Sequence, residues 1–177
     1  MTIRNEIKKH FQFSESQLRI ALFLFENGIS IRDGVPYINR LKISISGLAE
    51  SVKADRRVVL KTIEAIGKEP ELRAIFQLNR LAGPSLEMIG RYYDKGVIEI
   101  GVAPQEIGVL AGVTSEIAKR KLTILQLFAQ SSEVAPDPRL IIIIEGEIPG
   151  DLISQLRVIR GVKSITVYGP IYRSEIW

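Results

Sequence analysis

The sequence predicts an α+β protein made of two unlike halves. Three observations lead there. Apolar residues of the first half recur mostly at helical spacing, around one short alternating stretch. In the second half the period switches in the order strand, helix, strand, strand, helix, strand within about 75 residues, the ferredoxin-like split βαβ arrangement. The charge divides the same way: residues 1–94 carry 15 Lys/Arg against 11 Asp/Glu, and residues 95–177 carry nine of each. We therefore expect one domain over 1–94 and a second over 95–177, with weak points at Gly83–Pro84 and Lys95–Gly96 bracketing the boundary.

In the first half, Ser14 reads as a cap and Gly28 as a stop for a helix over 14–27, with Leu18, Ala21, Leu22 and Phe25 as its buried stripe. Ile29–Arg32 and Val35–Ile38 flank Asp33–Gly34, a strong short hairpin signal. Ser46 can cap a short helix carrying Leu48, Ala49 and Val52. Asp55 can cap a second helix, in which Val59, Ile63 and Ile66 repeat along one face. Residues 70–81 fit two patterns. Pro70 suits a first helical position, with Leu72, Ile75, Phe76 and Asn79 on one face, yet Ala74, Phe76 and Leu78 alternate like a strand, where a winged domain would place one. Ser85 can open a short helix to Tyr93.

In the second half, Val97–Val102 reads as an apolar strand ended by Pro104. Ile107, Leu110, Thr114, Ile117 and Lys121 share a helical face, with Val113 beside it. Leu122–Gln130 is a strand, residues 131–138 with Pro136 and Pro138 a turn, and Leu140–Glu145 a fully apolar strand. Gly150 or Asp151 starts a helix presenting Ile153, Leu156 and Ile159, and Gly161–Tyr168 is the last strand. Residues 171–177 are too short to interpret.

Composition narrows the function. The chain has 177 residues, 46% hydrophobic and 25% charged, close to the globular average. With no cysteine, disulfides, thiolate zinc sites, iron–sulfur clusters and cysteine nucleophiles are excluded. His10 is the one histidine; it offers no His–His metal pair, and in a charged lead-in it is a poor triad member. The run Leu140–Ile144 is far short of the ~20 apolar residues of a membrane span, and no signal peptide is apparent. The acids fall on separate elements without paired spacing; Glu145 and Glu147 read as a solvated strand end. An RNA-recognition reading of the βαββαβ half needs aromatic residues on a central strand, where this chain has Leu140 and four isoleucines. The expectation is a cytoplasmic protein that is not an enzyme, needs no cofactor or metal, and works by binding.

The net charge of +4 hints at an anionic partner, and its location sharpens the hint. Between Arg40 and Lys61 there are six bases against Glu50 and Asp55. Leu48 to Ile66 has the layout of a helix-turn-helix, the first helix packing Leu48, Ala49 and Val52 against Val59 and Ile63 across Lys53–Ala54. Arg56 and Arg57 then project from the first turn of the second helix, which faces base edges in major-groove readers. An arginine there can contact guanine through two bonds, and Lys61 one turn on can reach base or phosphate. Lys53, Arg40 and Lys42 would be phosphate contacts that set the register on double-stranded DNA. Arginines at a helix N-terminus oppose the macrodipole, so helix stability does not explain them. Leu60 falls on the outer side, as a thymine-methyl contact or as packing surface. An alternative is a non-DNA module whose helical half docks on a metabolic enzyme and confers feedback control.

The stretch from Gly96 to Ile124 resembles the opening βαβ of an ACT domain, the amino-acid-sensing module of many regulatory proteins. The match lies at Gly108, Val109 and Leu110, while Gln105 replaces the family's acid and Ile107 its proline. Gly161–Gly169 resembles the family's closing strand. The order of a helix-turn-helix opening on Asp55-Arg56-Arg57 and an ACT-like half resembles archaeal regulators of amino-acid metabolism. The resemblance implies a homodimer or higher homo-oligomer that binds a small amino acid or related metabolite near the first strand–helix loop. There the amides of Gly108, Val109 and Leu110 could hold a carboxylate, Gln105 a polar group and Glu106 an amino group, beside Ile107.

Overall fold

The computed structural model describes residues 2–133 and 135–172. It contains helices and antiparallel sheets in two compact units, divided between Gly83 and Pro84. The division takes the earlier of the two weak points, so residues 84–94 pack with the second unit rather than the first.

The first unit opens with a helix the sequence reading does not anticipate, α1 (Ile3–His10), whose Thr2 hydroxyl accepts from the Asn5 amide. Its sequence is mostly charged and places one residue, Ile7, in the core, too few for a periodic signal. In α2 (Glu15–Glu26) the deeply buried residues are Ile20, Ala21 and Leu24. Leu18, Leu22 and Phe25, expected as the buried stripe with Ala21, pack half-buried beside them. The hairpin forms as predicted: β1 (Ile29–Arg32) pairs with β2 (Val35–Ile38), Arg32 opposite Val35. Asp33 and Gly34 both take positive φ, 50° and 75°, as a type I′ turn requires. A second turn through Asn39 (φ 54°) leads to β3 (Leu41–Lys42) on the other side of β2.

Next come α3 (Ile45–Ser51) and α4 (Arg56–Lys68). Ser44, not Ser46, caps α3: its backbone is extended and its hydroxyl accepts from the Gly47 amide at 3.0 Å. Residues 70–81 resolve as helix, α5 (Pro70–Leu78). Pro70 sits in the first turn, Leu72 and Phe76 one turn apart are buried, and Leu78, which a strand would have turned inward with Phe76, is exposed. The first unit's small sheet thus precedes α3 instead of following α4. Asn79 closes the unit, donating from its side-chain amide to the carbonyls of Phe25 (3.1 Å), Leu24 and Ile29 (both 3.3 Å). That clamp presses Arg80–Leu81 onto Gly28, where a Cβ would lie 2.6 Å from the Leu81 nitrogen.

In the second unit, α6 (Glu87–Tyr92) precedes β4 (Gly96–Val102), α7 (Val109–Lys119), β5 (Ile124–Gln130), β6 (Arg139–Ile144), α8 (Gly150–Arg157) and β7 (Val162–Tyr168). The strands form one sheet in the order β5-β6-β4-β7, every neighbouring pair antiparallel. Each strand–helix–strand crossover skips one strand, so both helices lie on one face. There Ile98, Ile100, Ile142 and Ile144 pack against Val113, Ile117, Leu152 and Leu156. The buried stripe of α7 is Val109, Val113 and Ile117, a correction to the expected face. Ile107 precedes the helix and is 94% exposed, Leu110 is exposed, and Lys121 lies beyond the helix with φ 57°. The Arg120 guanidinium joins Glu116 (3.0 Å) of α7 to Asp151 (2.7 Å) of α8. On the opposite face, Val97, Ile141 and Ile143 pack with Leu86, and Gly90 of α6 lets that helix approach Ile143 and Val97. Apolar cover on both faces accounts for the unbroken apolar run of β6.

Candidate functional site

The basic residues of the first unit surround the α3–α4 pair. Val52 ends α3 and Lys53 takes a left-handed conformation (φ 49°), which lets the Ala54 amide return to the Ala49 carbonyl at 3.0 Å. Arg19 of α2 donates to the Lys53 carbonyl at 3.3 Å and so ties the turn to the body of the unit. Asp55 then caps α4, its carboxylate accepting from the Arg57 amide at 2.7 Å. The carboxylate is spent on the backbone and pairs with neither arginine.

Arg56 and Arg57 are the first two residues of α4, and both are exposed. Lys61, one turn after Arg57, shares its outward face, opposite the buried Val59, Ile63 and Ile66. Leu60, expected on the outer side, is half-buried. Lys53 is exposed at the turn, Arg40 at the β2–β3 turn and Lys42 on β3. None of these six cations joins an ion pair with another described residue. Elsewhere in the unit Arg4 is paired with Glu26 and Lys9 with Glu6, while Lys8, Lys68 and Arg73, like the six, join no ion pair with a described residue. The result is a stretch of unpaired positive charge on a rigid helix pair.

In the second unit, the loop before α7 places Gln105 at φ 62° and Gly108 at φ 89° as the helix's N-cap. A Cβ on Gly108 would meet nothing within 4 Å, so backbone conformation and not crowding selects glycine there. Val109 is buried, while Gln105 and Ile107 point to solvent. Glu106 is committed: it pairs with Arg160 at 3.1 Å and its side chain fills the space beside Gly161.

A second group lies on the sheet face away from α7 and α8, which the sequence reading did not single out. Glu99 of central β4 accepts from the Tyr168 hydroxyl at 2.7 Å and faces Arg139 at 3.4 Å, which also donates to Gln130 at 2.9 Å. The Glu99 carboxylate, with burial second, raises the Tyr168 phenol above its ordinary range. Glu99 and Arg139 border a cavity of about 380 Å³ also lined by Asp137, Lys163, Ser164 and Pro104. The signal was present in the sequence: Glu99 is the one acid in an otherwise apolar strand, on the face opposite Ile98 and Ile100.

Among the described residues, no helix is long and apolar enough to cross a membrane. No protein-family model and no curated protein sequence matches the chain. Solved structures do resemble it. A crystal structure of an AsnC-family transcriptional regulator from Agrobacterium tumefaciens has 11% identity and a TM-score of 0.29, covering 91% of this chain and 92% of that one. A transcriptional regulator from Neisseria meningitidis in complex with L-Met has 14% identity and a TM-score of 0.27, over 91% of each chain. AsnC of E. coli has 16% identity and a TM-score of 0.24, covering 91% of this chain and 96% of its own. At 11–16% identity, what those proteins bind does not pass to this chain.

Proposed function

We propose that the chain is a ligand-responsive transcription regulator, with a helix-turn-helix unit that binds double-stranded DNA and a ferredoxin-like, ACT-type unit that binds a small amino acid. The observation that carries the reading is the group of six exposed cations around α3 and α4, none of them neutralised by an acid among the described residues. Unpaired charges of one sign on a rigid scaffold repel one another, and a polyanion relieves that repulsion. Arg56, Arg57 and Lys61 take the base-facing role, and Lys53, Arg40 and Lys42 hold phosphates. Two copies in a homodimer present two such helices about one turn of DNA apart. The test is selection of duplexes from a random library by the wild-type chain. The double variant Arg56→Ala, Arg57→Ala should keep its fold and lose preference for the selected duplex over bulk DNA. Retained preference would remove the assignment. A weakly salt-dependent affinity for a protein instead would favour the feedback-module reading.

For the ligand, the first location is the α7 N-terminus, with the carboxylate on the amides of Gly108, Val109 and Leu110 and with Gln105 beside it. The second location, the cavity beside Glu99, offers a carboxylate together with Arg139 and Lys163, complementary to a zwitterion. The pairing of Glu106 with Arg160 takes up the expected partner of the amino group in the loop, and Glu99 is likewise held by Tyr168 and Arg139, so a ligand at either location displaces an existing contact. Calorimetry against the common amino acids separates the two. Loss of heat in Gly108→Val assigns the loop and loss in Arg139→Ala assigns the cavity; no heat with the wild type rejects amino-acid sensing.

A further inference from the structure

We propose that Glu6, His10 and Glu71 of the first unit form a binding site for one divalent transition-metal ion of the zinc class. Glu6 and His10 stand four residues apart on α1 and so share a helical face. Glu71, in the first turn of α5, completes the set. His10 Nε2 lies 3.2 Å from Glu6 Oε1 and 3.9 Å from Glu71 Oε2. A tetrahedral ion with bonds of about 2.0–2.1 Å holds its ligand atoms about 3.3 Å apart. The first separation is close to that value, and since the three ligand atoms all lie within 4.8 Å of one another, rotation of the exposed Glu71 side chain has two separations to close. Imidazole nitrogen with two carboxylates is a donor set for zinc-class ions, with a water in the fourth position.

A second observation supports the assignment. Glu6 Oε1 and His10 Nε2 are both shut off from solvent and form no well-aligned hydrogen bond; their contacts are the 3.2 Å approach to each other and Lys9 at 3.6 Å from Glu6 Oε1. Buried polar atoms without partners are rare, because each has lost its water and gained nothing. An ion between them would satisfy both atoms at once. Lys9, 3.6 Å from Glu6 Oε1, is the nearest competitor, and its largely exposed chain is free to swing away. The site would tie α1 to α5, which matters for a helix of eight residues, too short to hold its shape unaided.

The test uses the full chain, freed of metal by dialysis against a chelator, and titrates Zn²⁺ in competition with a chromophoric chelator. Co²⁺ serves as the spectroscopic probe. We expect one ion per chain, a tetrahedral Co²⁺ spectrum and a rise in Tm with Zn²⁺. His10→Gln and Glu71→Ala should each weaken binding by more than about 100-fold, beyond the cost of losing a supporting hydrogen bond. Lys9→Ala should bind at least as well as the wild type. Glu71 is exposed, so its variant reports on the site even if His10→Gln disturbs the fold. Three results would each overturn the proposal: no uptake below millimolar free Zn²⁺, uptake unchanged by both ligand substitutions, or more than one ion bound without a Co²⁺ spectrum that depends on His10.

Discussion

Replacing Arg40, Lys42 and Lys53 together by alanine tests whether these residues contact phosphate. All three are exposed, lie on turns or a strand edge, and join no ion pair with a described residue, so the fold should survive. Each phosphate contact adds about 0.9 to the slope of log affinity against log salt, so three contacts per protomer add about 2.7. Between 50 and 200 mM salt that amounts to about 40-fold in affinity per protomer, and roughly the square of that for a dimer with both helix pairs engaged. Fluorescence anisotropy on a fixed duplex at four or five salt concentrations measures it directly. The variant should bind more weakly at low salt, with a shallower slope and an unchanged ranking of duplexes. A slope equal to the wild type's would show that these cations release no counterions, and the phosphate assignment would fail. A changed ranking would place them at base edges.

Three further predictions concern the scaffold. Gly28→Ala should destabilise the first unit by about 2–5 kcal/mol, combining a left-handed φ of 62° with a Cβ forced against the Leu81 backbone; urea unfolding near wild-type stability would refute the close approach. Asp55→Ala removes the cap of α4 and should cost about 1 kcal/mol by the same assay, while weakening DNA binding through loosening of the turn that carries Arg56 and Arg57; no change in either would mean the 2.7 Å bond carries no weight. Lys119 first, then Arg120, hold the Glu116 carboxyl below its ordinary value, so its folded value lies under the unfolded one. Its contribution is present above the ordinary carboxylate range and is lost as pH falls through the folded value. Glu116→Gln should flatten the acid limb of Tm against pH, and an unaltered limb would contradict the pairing.

Legibility followed the strength of the local signal. The Asp33–Gly34 hairpin was readable to the residue, because a two-residue turn with positive φ at both positions leaves little choice of residue. The helices from Leu48 to Ile66 were readable for the same kind of reason, with Asp55 at the start and a stripe of buried residues one turn apart. The α1 helix was not, since a mostly charged segment with one core residue has no period to detect. Residues 70–81 were ambiguous because Leu72 and Phe76 fit a helix while Ala74, Phe76 and Leu78 fit a strand, and only burial against the rest of the unit selects between them. Ile107 was placed on one helical face with Leu110 and Ile117 because aliphatic spacing does not reveal that the helix starts at Val109.

The amino-acid sequence by itself determined the division of charge, the absence of thiol chemistry, the order of elements in the second half and the identity of the candidate DNA-facing residues. All of these depend on composition or on neighbours within a turn or two of the chain. Tertiary structure decided what depends on residues far apart. It left the six cations around α3 and α4 without an ion pair to a described residue, committed Glu106 to Arg160, gathered Glu99, Arg139 and Tyr168 on one sheet face, and brought Glu71 to Glu6 and His10. The physical reason is that a charge acts through its distance to other charges and to water, and that distance is set by packing rather than by position along the chain.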